Sequence, residues 1–447
     1  MTATPSFPEH VRATVRLATP LVIAQLSAMG MNVVDSLIAG RIGADALGAV
    51  AVGGALYTFA LLLTIGTLGS VTPTVAQLFG ARRFDEIAPR VRQAWWLALG
   101  LGLIVMLVCF NAATLLRWVG VDARLQPLAA DFLGGVGFGG PALAGFFVLR
   151  GYADGLGRTK PGMVAATSGL LILIPLALVL SLGWRGLGGY GTFGLGLATA
   201  IALWLQLIGL ALYLSRAAHF RRFGPILQLD APRAEPIRAL LALGLPMAFA
   251  WQMEGGLFIV VALLMGRIGG DWAAAHQIAI NVASVTFMIP LGLAQAVTVR
   301  VGHARGAGDA TGVRRAAGAG LTLALGTQVF SASVMLIFAA QLTRLYAPEA
   351  EALVPLASQL LVLAGIFQLS DGLQVTAAGA LRGLKDTQMP MVITAIAYWA
   401  VGFPMAWMLG FGAGWGAPGL WVGFIAGLSM AALLLNWRLW RMVRAPD

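Results

Sequence analysis

Stretches of about 20 predominantly apolar residues, the length that carries a helix across the hydrocarbon core of a bilayer, recur twelve times along this chain. Their approximate limits are 14–40, 48–75, 93–116, 128–149, 161–183, 190–214, 237–265, 273–298, 316–342, 352–380, 388–411 and 417–437. Of 447 residues, 59% are hydrophobic and only 11% charged, against about 25% charged in a typical soluble domain. A single core in water stops growing at roughly 250–300 residues, so the excess apolar surface must face lipid. The reading is an all-α membrane protein with twelve transmembrane helices. One cysteine, Cys109, leaves no intrachain disulfide. Glu9 and His10 ahead of a long first apolar stretch, with no small-residue cleavage site, speak against a cleavable signal.

The net charge of +11 would suit a nucleic-acid partner, but its placement does not. Sorted by the loops between the twelve stretches, 23 of the 29 Lys and Arg fall on one side. Only Arg41, Arg117, Arg124, Arg185, Arg267 and Arg344 fall on the other. The positive-inside rule then puts both termini in the cytoplasm, as expected for a bacterial inner-membrane protein. The basic residues are topology anchors, and no nucleic-acid partner is expected.

The chain also repeats itself. Gly40-Arg41-Ile42-Gly43 matches Gly266-Arg267-Ile268-Gly269, Val75–Gly80 pairs with Val301–Gly306, and Pro20 with Pro246, all at an offset of 226. Gly155, Leu156 and Thr159 pair with Gly383, Leu384 and Thr387 at an offset of 228. Two six-helix lobes follow, 1–214 and 237–447, joined by a polar, proline-bearing cytoplasmic linker at 215–236. Six is even, so the repeats are parallel and related by a pseudo-two-fold axis along the membrane normal, an arrangement typical of transporters that rock one lobe against the other.

Three carboxylates sit inside the apolar stretches: Asp35, Glu254 and Asp371. No Lys or Arg lies in a helix core to neutralise them. A charge at mid-bilayer costs a few kcal/mol even on the lenient insertion scale. Such acids face the bundle interior or water, and can exchange a proton for a metal or organic cation, which is the chemistry of an antiporter. The competing reading is a protonated acid making an interhelical hydrogen bond. Polar neighbours at helical spacing are Asn32 beside Asp35, Gln368 and Gln374 flanking Asp371, and Gln277 with Asn281. The aromatics Trp251, Phe258, Phe287 and Phe367 are interspersed; acids in an aromatic wall suit hydrophobic organic cations. Pro20 and Pro246 each delete a backbone hydrogen bond inside a helix and are candidate hinges. Gly135-x-Gly137-x-x-Gly140 imitates a dinucleotide fingerprint but lies in a helix without a preceding strand, so it reads as close helix packing. There is no P-loop, no metal-ligand spacing among the four His and no hydrolase arrangement. No enzyme activity and no cofactor are therefore expected.

Several stretches together resemble the multidrug and toxic compound extrusion (MATE) family, closest to its NorM-like branch. They are Pro20-Leu-Val-Ile-Ala-Gln25, Val34-Asp-Ser-Leu-Ile-Ala-Gly40, Ala275-His-Gln-Ile-Ala-Ile-Asn281, Val299-Arg-Val-Gly302, Gln368-Leu-Ser-Asp-Gly-Leu-Gln374, Gly379-Ala-Leu-Arg-Gly383 and Lys385-Asp386-Thr387. The resemblance implies two lobes in a V and export of cationic amphipathic drugs by alternating access, against inward H+ or Na+. It makes Asp35 the N-lobe carboxylate, and Glu254 with Asp371 a C-lobe cation site able to hold Na+, with Gln277 nearby. Where relatives often carry Asn before the fifth-helix proline, this chain has Leu173 and Ile174 before Pro175, and Phe287 replaces a Tyr of some relatives. Fewer oxygens favour H+ over Na+, by analogy with other hard cations. The partners expected are small-molecule organic cations and membrane lipid, with the chain a monomer. A flippase for lipids or lipid-linked precursors is the alternative, but an anionic pyrophosphate head group calls for basic residues in the helix cores.

Overall fold

The computed structural model describes residues 6–184, 188–348 and 350–444. Arg185, counted above as a topology anchor, and the outermost residues of both lobes lie outside them. Among the described residues, eleven helices are long and apolar enough to span a membrane. They are α1 (Phe7–Ile42), α2 (Ala44–Gly80), α3 (Phe84–Phe110), α5 (Lys160–Leu182), α6 (Gly191–Arg216), α7 (Ala234–Ile268), α8 (Gly270–Gly306), α9 (Ala310–Ile337), α10 (Leu353–Gly383), α11 (Gln388–Gly412) and α12 (Gly416–Arg444). A bent pair, α4 (Gln126–Gly137 with Gly140–Gly155), makes the twelfth when its two pieces count as one span. Every sequence stretch corresponds to one of these. Large apolar side chains such as Leu107, Leu263, Phe330 and Leu433 stand exposed on them, an arrangement tolerable only where the surroundings are lipid.

Two local features depart from uniform helices. The fourth span bends by 47° at Phe138 and Gly139, where Pro141 at the start of the second piece has no N–H to continue the ladder. The glycines flanking this break pack helices closely. A first side-chain carbon at Gly135 would lie 2.4 Å from the Phe193 carbonyl of α6, and one at Gly140 would lie 2.6 Å from the Gly102 carbonyl of α3. The eleventh span contains π-helical turns at Ile396–Gly402 and Met408–Gly412, an irregularity that often marks functional positions.

The helices run past the apolar windows, and this corrects the placement of the basic residues. Arg150, Arg300 and Arg382 are helical, not in loops, and Arg150 and Arg382 are buried. A window of about 20 residues measures hydrocarbon thickness only; the helix continues into water until a cap ends it.

Those caps repeat with the sequence. Beyond α2, the N–H of Arg82 bonds the Phe79 carbonyl (3.1 Å) and that of Arg83 the Leu78 carbonyl (3.0 Å). Beyond α8, Gly308 bonds Arg305 (3.1 Å) and Asp309 bonds Ala304 (2.9 Å). This is the double bond pattern of a left-handed helix stop. The stops after α4 (Gly157, φ 74°) and α10 (Lys385, φ 61°) pair in the same way. Arg82 holds φ 59° where its repeat partner Gly308 holds φ 69°. A left-handed conformation costs a non-glycine residue about 1 kcal/mol. Arg82→Gly is therefore expected to raise stability by up to about 1 kcal/mol, read as a higher midpoint in thermal unfolding of the detergent-solubilised protein.

By contacts the chain forms two compact units, Ile23–Ala248 on one hand and Met1–Val22 with Phe249–Asp447 on the other. This division differs from the lobes drawn at the 215–236 loop. It cuts α1 two residues after the buried Pro20 and α7 two residues after the buried Pro246. In the second unit the leading piece of α1 packs Ala18 and Leu21 against Leu293, Ala296 and Ala324, and Arg300 bonds Thr14 and the His10 carbonyl (2.6 Å). The 215–236 loop belongs to the first unit and is strapped to the start of α3. Trp95 and Trp96 donate to the carbonyls of Ile226 and Asp230 (2.9 Å each), and Arg92 pairs with Asp230 at 2.9 Å.

Candidate functional site

Glu254 on α7 and Asp371 on α10 belong to one electrostatic cluster in the second unit. Glu254 is half-buried and Asp371 only 3% exposed. Gln374, one turn after Asp371 on the same face of α10, lies against the Glu254 carboxyl. Tyr398, fully buried in the first π-helical segment of α11, feels both acids. Arg382, near the end of α10, interacts with Glu254. Asp371 Oδ1 and Gln374 Oε1 are buried without a hydrogen bond. Buried oxygens are normally satisfied, and carboxylate, amide and phenol oxygens are the donors a hard cation takes. Two acids opposed by one guanidinium leave the cluster with one uncompensated negative charge when both are ionised. The site can accept one proton or one monovalent cation and become neutral.

In the first unit Asp35 is 7% exposed. The Thr199 hydroxyl of α6 lies 3.2 and 3.3 Å from its two carboxylate oxygens and 3.3 Å from the Leu195 carbonyl. Tyr57 of α2 is an electrostatic neighbour. Leu173, completely buried, and Ile174, which precede Pro175 in α5, supply no side-chain oxygen.

The supporting residues distribute unevenly. Gln374 joins the acids. Gln368 instead clamps three helices: it donates to the Ala283 carbonyl (2.9 Å) and Thr286 Oγ1 (2.7 Å) of α8, and receives Gln328 of α9 on its backbone and side-chain oxygens. Phe367 is 1% exposed and packs edge-on with Phe258 (6.0 Å) and Trp421 (5.9 Å), so it belongs to an aromatic core. Gln277 is exposed and donates to Asn281 at 3.4 Å. Phe287 is half-buried and Asn32 exposed.

Thr199, Tyr57, Tyr398 and Arg382 escaped the sequence reading because each meets its acid across helices. A second pair was legible and missed. Arg150 and Asp154, both 7% exposed, pair at 3.4 Å, and Arg150 also donates to Gln25 at 3.1 Å. The i,i+4 spacing of opposite charges was the available signal. Among the described residues no group of three or more His, Cys, Asp or Glu could hold a metal ion.

Eleven spans, or twelve with the bent pair counted as one, around interacting carboxylates are those of a multi-pass helical membrane transporter. The chain belongs to the MatE family: the family model matches residues 20–179 and again 246–408, the two matches starting at the repeat-paired prolines. It is 47% identical over 436 residues to the "Probable multidrug resistance protein NorM" of Xanthomonas campestris pv. campestris, covering 98% of this chain and 95% of that protein. It is 46% identical to the protein of the same name from Xanthomonas axonopodis pv. citri, with the same coverage. Among solved structures it superimposes, at a TM-score of 0.88 and 20% identity, on an outward-facing multidrug resistance MATE family transporter, covering 98% of this chain and 97% of that one. That likeness shows the fold.

Proposed function

We propose that this protein is a secondary antiporter of the bacterial inner membrane that exports cationic, amphipathic drugs in exchange for H+ or Na+. In this reading the termini are cytoplasmic, and two six-helix lobes related by a pseudo-two-fold axis alternate access, with Pro20 and Pro246 as hinges. The observation that carries it is the Glu254–Asp371 cluster, with one net negative charge and buried oxygens lacking partners. A proton or Na+ taken up there neutralises the cluster and removes its attraction for an organic cation; release of the ion restores it. That reciprocity is what couples the two fluxes. The names of the relatives support drugs as cargo. The short supply of oxygens around Asp35, with Leu173 and Ile174 ahead of Pro175, favours H+. A flippase would need free cations for an anionic cargo, whereas Arg150 pairs with Asp154, Arg300 binds Thr14 and the His10 carbonyl, and Arg382 acts on Glu254.

Reconstitution into liposomes tests this. A fluorescent organic cation should move up its gradient when a pH gradient alone is imposed. Transport following a Na+ gradient and ignoring pH would overturn the preference for H+; transport driven by neither would overturn the antiporter.

A further inference from the structure

A groove of about 290 Å³ runs between α5 and α6, wholly within the Ile23–Ala248 unit. Lys160, Val164 and Ile172 line it from α5, and Leu205, Gly209 and Tyr213 from α6. Val164 is 56% exposed, Leu205 43% and Tyr213 48%, so the groove opens toward the surrounding bilayer. From Lys160 to Ile172 it follows about 18 Å of helix, the reach of a good part of one acyl chain.

Its two ends differ. The Ile172 end is walled by Ile172 and Leu205, with the buried Gln206 beside Gly169 as its polar group. The other carries Lys160 and Tyr213, with Arg158 just ahead of α5 and Arg216, Arg221 and Arg222 at and beyond the end of α6. Among the described residues none of these five cations has a carboxylate in ion-pair distance, whereas Arg83, Arg90, Arg92 and Arg438 each do. His219 registers the resulting field: burial first, then the charges of Arg158 and Arg222, hold its imidazole below the usual value. Long apolar walls ending in unneutralised cations match a molecule with a hydrocarbon tail and an anionic head.

We propose that this groove binds an anionic phospholipid, one acyl chain lying along α5 and α6 and the phosphate at Lys160 and Tyr213. A zwitterionic lipid fills the apolar part equally well but gains nothing from the basic end. One Lys near a phosphate contributes a preference of about fivefold. The inference rests on the membrane-spanning fold and not on the exchange chemistry, so either can fail alone.

Gly209 supplies the test. A side-chain carbon built there meets nothing within 4 Å, so Gly209→Leu fills the groove without disturbing its walls. The full chain, in micelles carrying equal phosphatidylglycerol and phosphatidylethanolamine, is analysed by native mass spectrometry. Wild type should retain phosphatidylglycerol preferentially. Lys160→Ala should cut that preference about fivefold, Lys160→Arg should keep it, and Gly209→Leu should hold one lipid fewer at an unchanged melting temperature. Equal retention of both lipids by wild type overturns the proposal, as does a preference untouched by Lys160→Ala and Gly209→Leu. Displacement of the lipid by inorganic phosphate alone also overturns it, since the apolar walls would then contribute nothing. Should Gly209→Leu fail to fold, Lys160→Glu at an exposed position decides: it must reverse the preference.

Discussion

Asp371→Asn is expected to reduce counter-gradient movement of an organic cation in proteoliposomes to the level of protein-free vesicles, and Glu254→Gln to do the same. Both amides keep the size and planar shape of the acid but cannot be ionised. Either change takes one negative charge from a cluster whose net excess is one, so nothing remains to distinguish a loaded from an unloaded site. Stability should move the other way. An ionised carboxylate as buried as Asp371 costs several kcal/mol of desolvation, and its Oδ1 has no hydrogen bond to offset that. The asparagine variant should therefore insert normally and melt at or above the wild-type temperature. Loss of transport together with loss of folding would mean a structural acid; retained resistance in both variants, in a drug-hypersensitive host, would remove the cluster from the mechanism.

Gly383→Val and Gly155→Val should each destabilise the protein by roughly 1–3 kcal/mol, the usual range for overpacking a closed contact. A first side-chain carbon at Gly383 would stand 2.7 Å from the Thr298 carbonyl and 2.9 Å from Val301 Cβ; at Gly155 it would stand 2.9 Å from the Thr72 carbonyl and 2.7 Å from Val75 Cβ. Thr72 and Val75 are the repeat partners of Thr298 and Val301, so one helix crossing has been kept in both halves of the chain. Half of each obstacle is backbone, which cannot swing aside. Between lipid-surrounded helices close backbone approach through small residues replaces the hydrophobic drive available in water. The two variants should show similar drops in thermal midpoint. Only Gly383→Val should also impair transport, because it moves Arg382, whose charge acts on Glu254. Unshifted midpoints in both would mean these helices are not closely packed.

What was legible follows from which physics acts along the chain. Bilayer thickness imposes a local length, so all twelve stretches were readable, down to the one that bends. The duplication was readable because it preserves residues at helix stops and crossings. The acids stood out because carboxylates at membrane depth are costly enough to be rare. Contacts across helices were not readable. Gln368 and Gln374 occupy equivalent spacings around Asp371, yet one clamps α8 to α9 and the other joins the acids. Phe367 and Phe287 looked alike as strings, and only packing places the first in a closed aromatic core. Helix ends were misjudged for a different reason: hydropathy marks where hydrocarbon stops, while the stop turns after Gly155 and Gly383 mark where the helix does. Arg150 and Arg382 lie between those two limits.

The contact boundaries inside α1 and α7 bear on how such a chain could have arisen. The leading piece of α1, up to Val22, finds its socket on helices encoded more than 250 residues later, and the opening turns of α7 find theirs on α2. Each half of the chain thus carries one arm and one socket, and each arm sits in the socket of the other half. Exchange of equivalent arms between two copies is the geometry of a swapped dimer, and this duplicated chain holds that geometry within one polypeptide.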